Sequence, residues 1–459
     1  MQLPELFISQ VEQLFPGESA AMLQAIGETS PSVSVRVNVQ RHASVPAGVQ
    51  RVPWCEAGFY CDERPQFTFD PLWHSGMYYV QDASSMFIHH VIRSLVKEPV
   101  RYLDLCAAPG GKTTAALQAL PQGSLVVANE IVVSRARVLA DNVSRWGNPF
   151  SAVTCCAPRD LGRLSHTFDV IAADVPCSGE GMFRKDDEAV SQWSPALVEQ
   201  CAERQRGIVA DVWNALRPGG LFIYSTCTFN AEENEHMIEH IIEEYGAEPV
   251  AVDVDPGWPV HAAVGSTLPC YRFLPHLTRG EGLFMAVLRK PADEHLRAAK
   301  PKKGNAPKRT DAPRTIKQWL ENEKEYQVTI AAEGTVTAVP REHAPLIDML
   351  AASCNLMQAG VTMGTVKGKN CVPAHSLAQS SALAAGAFPV VELDYAEAIS
   401  YLRGEAITVD APRGYVIVTF NGAHLGWANN LGNRANNMYP KPQRILSTHT
   451  PETAPKVIE

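Results

Sequence analysis

The residues of this chain most able to do chemistry are two cysteines, each placed just past a predicted β-strand. Cys177 lies in Asp174-Val-Pro-Cys-Ser-Gly179, and Cys227 lies in Ser225-Thr-Cys-Thr228. A cysteine thiolate is a soft nucleophile that can add to an electron-poor ring carbon such as C6 of a pyrimidine, and undoing the adduct needs further help. The pair therefore predicts covalent catalysis in which the two cysteines have different roles.

A glycine-rich turn upstream predicts a binding site for a nucleoside-like ligand. It lies in Asp104-Leu-Cys-Ala-Ala-Pro-Gly-Gly-Lys-Thr113, between a predicted strand and a predicted helix. Its glycines let the backbone approach a ligand closely, and the helix N-terminus offers free N–H groups. Glu130, at the end of the next predicted strand, can accept hydrogen bonds from ribose hydroxyls. Such a turn with a later acid is a weak signal alone, and a merely structural turn is the alternative.

The same turn differs from the phosphate-binding loop of nucleoside triphosphatases. Gly111-Lys112-Thr113 matches the end of that motif, but the motif requires a glycine where this chain has Cys106. Binding of a nucleoside triphosphate is therefore disfavoured.

The composition is that of a soluble, core-forming protein of about three domains. The 459 residues are 46% hydrophobic and 19% charged. No signal-peptide pattern and no apolar stretch of about 18 residues is present, so we expect a cytoplasmic protein without a membrane span. Eleven cysteines without any Cys-x-x-Cys pair argue against a disulfide framework and a zinc site, so reduced thiols and no metal are expected.

The charge is unevenly distributed along the chain. The net charge of -9 argues mildly against a nucleic-acid ligand, because phosphate contacts require lysine and arginine. Residues 291–318, however, contain eight basic and three acidic residues, and residues 411–451 contain four basic residues and no acidic one. This segregation fits an RNA-binding surface on an acidic protein, and a solvated linker with a chance acid-free run is the alternative.

The chain divides into five predicted segments. Residues 1–70 combine a helical pattern with a strand of alternating apolar residues and are interpreted as a small α+β module. Residues 71–290 alternate strands (101–105, 124–129, 168–174 and 221–225) with helices, one of them opened by Ser194-Pro195 and closed by Arg217-Pro-Gly-Gly220. Residues 291–314 form a basic flexible linker, residues 315–384 an α/β module, and residues 385–459 a module with a hairpin at Asn421-Gly422.

Strands that alternate with helices predict a doubly wound, mostly parallel sheet in residues 71–290. In such sheets ligands bind beyond the carboxyl ends of the strands. The glycine-rich turn, Glu130, Asp174 with Cys177, and Cys227 each follow a predicted strand directly. One crevice can therefore contain them all.

Several further motifs accompany these residues. They are Arg184-Lys-Asp186, Tyr224-Ser-Thr-Cys-Thr228, Tyr78-Tyr-Val-Gln-Asp-Ala-Ser-Ser85, Gly426-Trp-Ala-Asn-Asn-Leu-Gly-Asn-Arg434 and Asn437-Met-Tyr-Pro440. Together with the turn and the two cysteine motifs, they resemble the Nol1/Nop2/Sun family of RNA cytosine-5 methyltransferases, and within it the bacterial RsmF group, which methylates 16S ribosomal RNA with S-adenosylmethionine. The resemblance covers nearly the whole chain. It implies a Rossmann-like class I methyltransferase core and a C-terminal PUA-like RNA-binding module.

The resemblance also implies roles for individual residues. Cys227 is the expected nucleophile, Cys177 the cysteine that assists release, and Asp174 a ligand of the cytosine edge or of the cofactor. The residues expected to bind S-adenosylmethionine are Cys106, Ala107, Ala108, Pro109, Gly110, Gly111, Lys112, Glu130, Asp160 and Asp174. The family often has an aspartate near the position of Ala157, so Asp160 is included as a substitute. Lys112 or Lys185 is expected to provide positive charge near the nucleophile.

The remaining cysteines and aromatics are expected to be structural. Cys106, Cys155, Cys156, Cys201, Cys270, Cys354 and Cys371 are interpreted as small buried hydrophobic residues. Trp427 and Tyr439 are expected in the core more than on RNA bases. A monomer that acts on 16S rRNA or the small ribosomal subunit is the leading hypothesis; methylation of tRNA or DNA and a non-catalytic ribosome-assembly factor are the alternatives.

Overall fold

The computed structural model describes residues 2–41, 43–292 and 309–458. Its N-terminal part contains a small antiparallel sheet, with two helices before it and one after it in the sequence. The sheet has the strand order β2-β3-β1-β4, and polar Ser34 and Arg36 of β1 are buried together with Val35 and Val37, so the apolar alternation of the sequence does not leave an exposed face. The elements are α1 (Glu5–Leu14), α2 (Ser19–Glu28), β1 (Val33–Val37), β2 (Arg51–Val52), β3 (Cys55–Cys61), α3 (Pro71–His74), β4 (Tyr78–Val80) and α4 (Phe87–Leu95).

The central part is a nine-stranded sheet with helices on both faces. Its apolar strands are buried on both sides, as in β6, where every residue is buried. The elements are β5 (Arg101–Asp104), α5 (Gly111–Ala119), β6 (Leu125–Asn129), α6 (Val133–Trp146), β7 (Ser151–Cys155), α7 (Pro158–Gly162), β8 (Phe168–Asp174), α8 (Asp187–Gln192), α9 (Pro195–Val212), β9 (Leu216–Thr226), α10 (Glu235–Tyr245), β10 (Glu248–Pro249), β11 (Cys270–Phe273) and β12 (Leu283–Arg289).

The strand order of this sheet sets the place of a ligand crevice. Strands β9-β8-β5-β6-β7 are parallel neighbours, and antiparallel β12 extends the sheet beyond β9. The chain runs from β5 outward to β7 and then returns to β8 on the other side of β5. Open α/β sheets bind ligands at such a reversal, beyond the carboxyl ends of the strands. The predicted doubly wound, mostly parallel sheet is confirmed.

One predicted boundary is wrong. Helix α9 begins as expected, with the Ser194 hydroxyl accepting a hydrogen bond of 3.1 Å from the backbone N–H of Leu197. It ends at Val212, however, and residues 217–220 belong to strand β9. Gly219 N–H donates to the carbonyl of Lys290, so pairing with a distant segment converts an apparent turn into strand.

The C-terminal part contains a five-stranded sheet of order β13-β14-β15-β17-β18 and a four-stranded sheet of order β19-β20-β21-β22. The predicted hairpin is confirmed: Asn421 and Gly422, with φ of 48° and 73°, connect β20 to β21. The elements are β13 (Thr310–Asp311), α11 (Arg314–Lys317), β14 (Tyr326–Ile330), β15 (Thr335–Pro340), α12 (Ala344–Ser353), β16 (Asn355–Ala359), β17 (Val361–Lys367), β18 (Asn370–Pro373), α13 (His375–Gln379), β19 (Val390–Glu392), α14 (Tyr395–Arg403), β20 (Gly414–Phe420), β21 (Ala423–Asn430) and β22 (Ala435–Asn437).

The C-terminal part packs extensively against the rest of the molecule. Strand β16 pairs with β7 and so extends the central sheet. The last sheet shares a hydrophobic core with the N-terminal sheet, which includes Val35, Phe59, Val416 and Leu425. Most of the predicted basic linker, residues 293–308, lies outside the described residues. In the described ranges, no helix combines the length and apolarity needed to cross a membrane.

Candidate active site

The structure brings the two cysteines together. Asp174 ends β8 and Cys227 directly follows β9, so the parallel pairing of these strands sets the two loops side by side. The Sγ atoms of Cys177 and Cys227 are 3.3 Å apart. The hydrogen bond to Cys227 and burial raise the pKa of Cys177 well above its usual value. Cys177 therefore keeps its proton and can donate its S–H to the sulfur of Cys227.

A buried carboxylate ties the two cysteine loops to each other. Ser178 follows Cys177, and its hydroxyl lies 2.9 Å from that of Thr228, which follows Cys227. Glu233 accepts hydrogen bonds from the Ser178 backbone N–H at 3.0 Å and from Nε2 of Gln205 at 2.7 Å. Burial raises the pKa of Glu233, and the bonds it accepts from Ser178 oppose that rise. The network fixes the separation of the two sulfurs.

Glu180 holds the same loops from the other side and is fully buried. Its Oε2 accepts hydrogen bonds from the backbone N–H groups of Phe229 at 2.6 Å and Asn230 at 2.9 Å. Its Oε1 accepts from the side chains of Trp193 at 3.0 Å, Asn230 at 3.1 Å and Gln10 at 2.9 Å. Helix α1, which contains Gln10, thus supports the loop after Cys227.

A cavity of about 190 Å³ lies beside the glycine-rich turn. Its walls combine turn residues with Asp174 and with the segment that follows β4. The lining residues are Tyr79, Val80, Gln81, Asp82, Ser85, Asp104, Cys106, Ala107, Ala108, Pro109, Gly111, Lys112 and Asp174. Gly110 caps α5 with a φ of 110°, where a Cβ atom would lie 3.2 Å from Leu139. This conformation favours glycine, and the missing side chain leaves room for α6 to pack against the turn.

An ion pair joins the cavity to the cysteines. Lys112 Nζ lies 2.8 Å from Asp174 Oδ2, and the Ser225 hydroxyl donates to Asp174 Oδ1 at 2.7 Å. Burial alone would lower the pKa of Lys112, but the Asp174 carboxylate outweighs burial and, with a smaller contribution from Cys227, raises it. Lys112 therefore remains a cation close to Cys227. Lys185, the other candidate, lies 3.2 Å from Glu281.

Asp104 is a buried acid at the base of the cavity. Burial raises the pKa of Asp104 to about 7, and the charges of Asp174 and Glu130 add to that rise. The Thr113 hydroxyl, which donates to Asp104 Oδ2 at 2.6 Å, and the Lys112 cation oppose it. Burial likewise raises the pKa of Cys106. The cavity therefore has an acidic wall with a cation at its cysteine end.

Three predicted ligand-binding residues, Gly110, Glu130 and Asp160, are not part of the lining of this cavity. Glu130 is buried; its Oε1 accepts from the Val132 backbone N–H at 3.0 Å, and its Oε2 lies 3.5 Å from Arg135. Asp160 lies on α7, 2.9 Å from Arg163. Among the described residues, the lining of the 190 Å³ cavity includes neither acid.

The other cysteines and aromatics correct part of the prediction. Cys155, Cys201 and Cys270 are buried as expected, but Cys106, Cys156, Cys354 and Cys371 are only half-buried, so the fully buried interpretation is wrong for those four. Trp427 is 1% exposed and donates its Nε1–H to the Ala374 carbonyl, and Tyr439 is 2% exposed. Both aromatics belong to the core.

Sequence reasoning missed several residues of the site. Tyr79, Gln81 and Asp82 come from a segment noted only for its resemblance, and Glu180 and Glu233 were assigned no role. The only available signal is position: each glutamate follows a cysteine motif within six residues, which does not distinguish a buried carboxylate from a solvated one.

Comparisons with known proteins match three parts of the chain. Residues 95–289 match the family 16S rRNA methyltransferase RsmB/F, residues 3–83 the N-terminal domain of 16S rRNA methyltransferase RsmF, and residues 388–445 the methyltransferase RsmF PUA domain. The crystal structure of NSun6 from Pyrococcus horikoshii with SFG aligns with a TM-score of 0.52 and 20% identity, covering 62% of this chain and 98% of that one. This likeness supports the fold.

Two full-length relatives are more similar in sequence. Ribosomal RNA small subunit methyltransferase F of Aliivibrio fischeri (strain MJ11) is 31% identical, with 96% of this chain and 97% of that protein aligned. The protein of the same name from Klebsiella pneumoniae (strain 342) is 32% identical, with 95% and 96% aligned. The chain therefore belongs to the ribosomal RNA small subunit methyltransferase F family.

Proposed function

We propose that the protein transfers a methyl group from S-adenosylmethionine to C5 of a cytosine in RNA, with 16S rRNA as substrate, through a covalent bond between Cys227 and C6. The observation that carries the proposal is the pair of sulfurs 3.3 Å apart, joined through Lys112 and Asp174 to the cavity of the glycine-rich turn. Family membership supports RNA methylation, because the aligned relatives are named as ribosomal RNA methyltransferases.

The residues around the cavity fit S-adenosylmethionine. The glycine-rich turn, represented in the lining by Pro109 and Gly111, permits close backbone approach, and the acidic wall of Asp104 and Asp174 suits the ammonium of a methionine part. When bound, this cofactor supplies an electrophilic methyl group on a sulfonium. The related NSun6 was crystallised with SFG, which favours a cofactor of that class here.

Individual residues have different roles in the proposed reaction. The Cys227 thiolate adds to C6 of the cytosine, which breaks the C5–C6 double bond and makes C5 nucleophilic toward the methyl group. Asp174, held by Lys112 and Ser225, binds the cytosine edge or the cofactor. After methylation a base removes the C5 proton, the C6–S bond breaks and Cys227 leaves as thiolate. Cys177, which keeps its proton beside Cys227, assists this release.

The test is a comparison of Cys227→Ala with wild-type protein in a tritiated S-adenosylmethionine assay on small-subunit RNA and on tRNA. We expect incorporation into small-subunit RNA by the wild type and background counts from Cys227→Ala, whereas Cys371→Ala, a cysteine on β18, serves as the active control. Retained transfer by Cys227→Ala would refute the nucleophile. Transfer to tRNA alone would refute the substrate, and no transfer by the wild type would favour an assembly factor.

A further inference from the structure

A second pair of cysteines lies where the C-terminal part joins the central sheet. Strand β7 ends at Cys155 and antiparallel β16 begins at Asn355, and these two residues are directly paired. The next register position places Cys156 opposite Cys354. Their Sγ atoms are 2.8 Å apart, closer than the sulfurs of Cys177 and Cys227.

This register suits a disulfide bond. Directly opposed residues of antiparallel strands have Cα atoms about 4.5–5.5 Å apart, within the range of about 4.4–6.8 Å that disulfides span. Closing the 2.8 Å separation to a bond of about 2.05 Å needs only small side-chain rotations, without a change of strand pairing.

The two thiols also differ in a way that suits oxidation. Both are half-buried, so a small oxidant can reach them, unlike buried Cys155 beside them. The hydrogen bond between the two sulfurs lowers the pKa of Cys156 and raises that of Cys354. In the resting pair the Cys156 thiol donates to Cys354 Sγ and, at 3.3 Å, to Oδ1 of Asn129. Cys156 is therefore the thiol that ionises first, and it reacts as thiolate after losing that proton.

We propose that Cys156 and Cys354 are a reversible oxidation site that forms a disulfide with a peroxide as oxidant. The Cys156 thiolate attacks one peroxide oxygen, the O–O bond breaks, and sulfenic acid and water are formed. The Cys354 sulfur then attacks the sulfenic sulfur, its proton leaves with the hydroxyl as a second water, and the S–S bond forms. Two thiols are oxidised by two electrons and one peroxide is reduced to two waters; a dithiol reverses the reaction.

The bond would link the central sheet covalently to the C-terminal part. It closes a chain loop of about two hundred residues, and such long loops gain stability from a cross-link. The Cys156–Cys354 pair is also connected to the glycine-rich turn. Asn129 Nδ2 donates to the carbonyl of Cys156 at 3.1 Å and to that of Leu105 at 3.2 Å. Leu105 begins the loop of the glycine-rich turn.

The test is peptide mass spectrometry of the full chain after hydrogen peroxide treatment and alkylation, without reductant. We expect a cross-linked peptide that joins Cys156 and Cys354, two hydrogens lighter than the reduced pair, and its loss after dithiothreitol. The oxidised wild type should unfold at a higher temperature than the reduced form. Cys354→Ser and Cys156→Ser should lack this shift, whereas Cys371→Ser, altered in the same part of the chain, should retain it.

Two results would overturn the site. One is oxidation that stops at sulfinic acid on Cys156 without the cross-linked peptide. The other is an oxidant-dependent stabilisation that persists in Cys354→Ser, which would assign it to Cys177 and Cys227. The proposal does not depend on methyl transfer, and neither result bears on the assignment of Cys227.

Discussion

Replacing Asp104 with asparagine is expected to change folding stability in a pH-dependent way. The difference in stability between the variant and the wild type should favour the variant more at pH 8 than at pH 5. Asp104 is 1% exposed, and burial together with Asp174 and Glu130 raises its pKa from 3.8 to about 7. An acid whose pKa rises on folding binds its proton more tightly when folded. Folding stability therefore falls as the pH rises from about 4 to about 7 and stays lowered above that range.

The magnitude follows from the two pKa values. The difference between 3.8 and about 7, at about 1.4 kcal/mol per pKa unit, is about 4 kcal/mol at high pH. About 2–3 kcal/mol of it falls between pH 5 and pH 8, because the unfolded carboxyl is already ionised at pH 5. Asparagine has no charge to desolvate and its carbonyl can still accept the Thr113 hydroxyl. Its amide protons need partners, at a cost of about 1–3 kcal/mol that does not depend on pH.

The assay is urea unfolding of wild type and Asp104→Asn at pH 5 and pH 8. We expect the stability difference between the two proteins to shift by about 2–3 kcal/mol in favour of the variant at the higher pH. Asp187→Asn, which alters an exposed aspartate of α8, should change by less than about 0.5 kcal/mol at either pH. A difference for Asp104→Asn that is the same at both values would refute the buried-charge argument.

Three further outcomes are expected. Glu180→Gln should lower the free energy of unfolding by about 2–6 kcal/mol in urea titrations, because two buried N–H donors lose an acceptor. The control Glu232→Gln, at an exposed position, should not lower it. Equal unfolding midpoints for Glu180→Gln and wild type would contradict the role of Glu180 as a buried acceptor. Gly110→Ala should weaken S-adenosylhomocysteine binding in calorimetry, since φ of 110° strains alanine by about 1–3 kcal/mol; unchanged affinity would place the ligand elsewhere. Lys112→Met should slow single-turnover methylation about tenfold or more by removing the cation that pairs with Asp174, and an unaltered rate would remove Lys112 from the mechanism.

Much of the central fold is predictable because its local signals agree. The run 168–174 has an apolar centre at 170–173 between Asp169 and Asp174, and strand β8 has the predicted bounds. Ser194 before Pro195 predicts the start of α9, because serine caps a helix and proline fits its first turn. Strand β9 begins earlier than expected because Gly219 pairs with Lys290, 71 positions away, and no local pattern contains that contact.

For the candidate site, too, some features are predictable from the sequence and others depend on contacts between distant segments. The strand ends predict that Cys177 and Cys227 lie together and that Asp174 borders the glycine-rich turn, and both are observed because parallel strands share a carboxyl edge. Glu130, expected in the same crevice, lies outside the cavity lining. Cys156 follows β7 and is only half-buried, and its neighbour Cys354 comes from far along the chain, so no local pattern contains their contact. Asp160 pairs with Arg163, just after its own helix, a choice that spacing alone does not reveal.

The most direct test of the central claim is to identify, by mass spectrometry, the residue that is covalently attached to RNA. The Cys177→Ala variant, which lacks the thiol 3.3 Å from Cys227, should accumulate a covalent complex with small-subunit RNA that survives denaturation. After digestion with protease and nuclease, we predict a methylated cytosine nucleotide attached to the peptide that contains Cys227. A nucleotide attached to any other residue, or methyl transfer by the double variant Cys177→Ala/Cys227→Ala, would contradict the account.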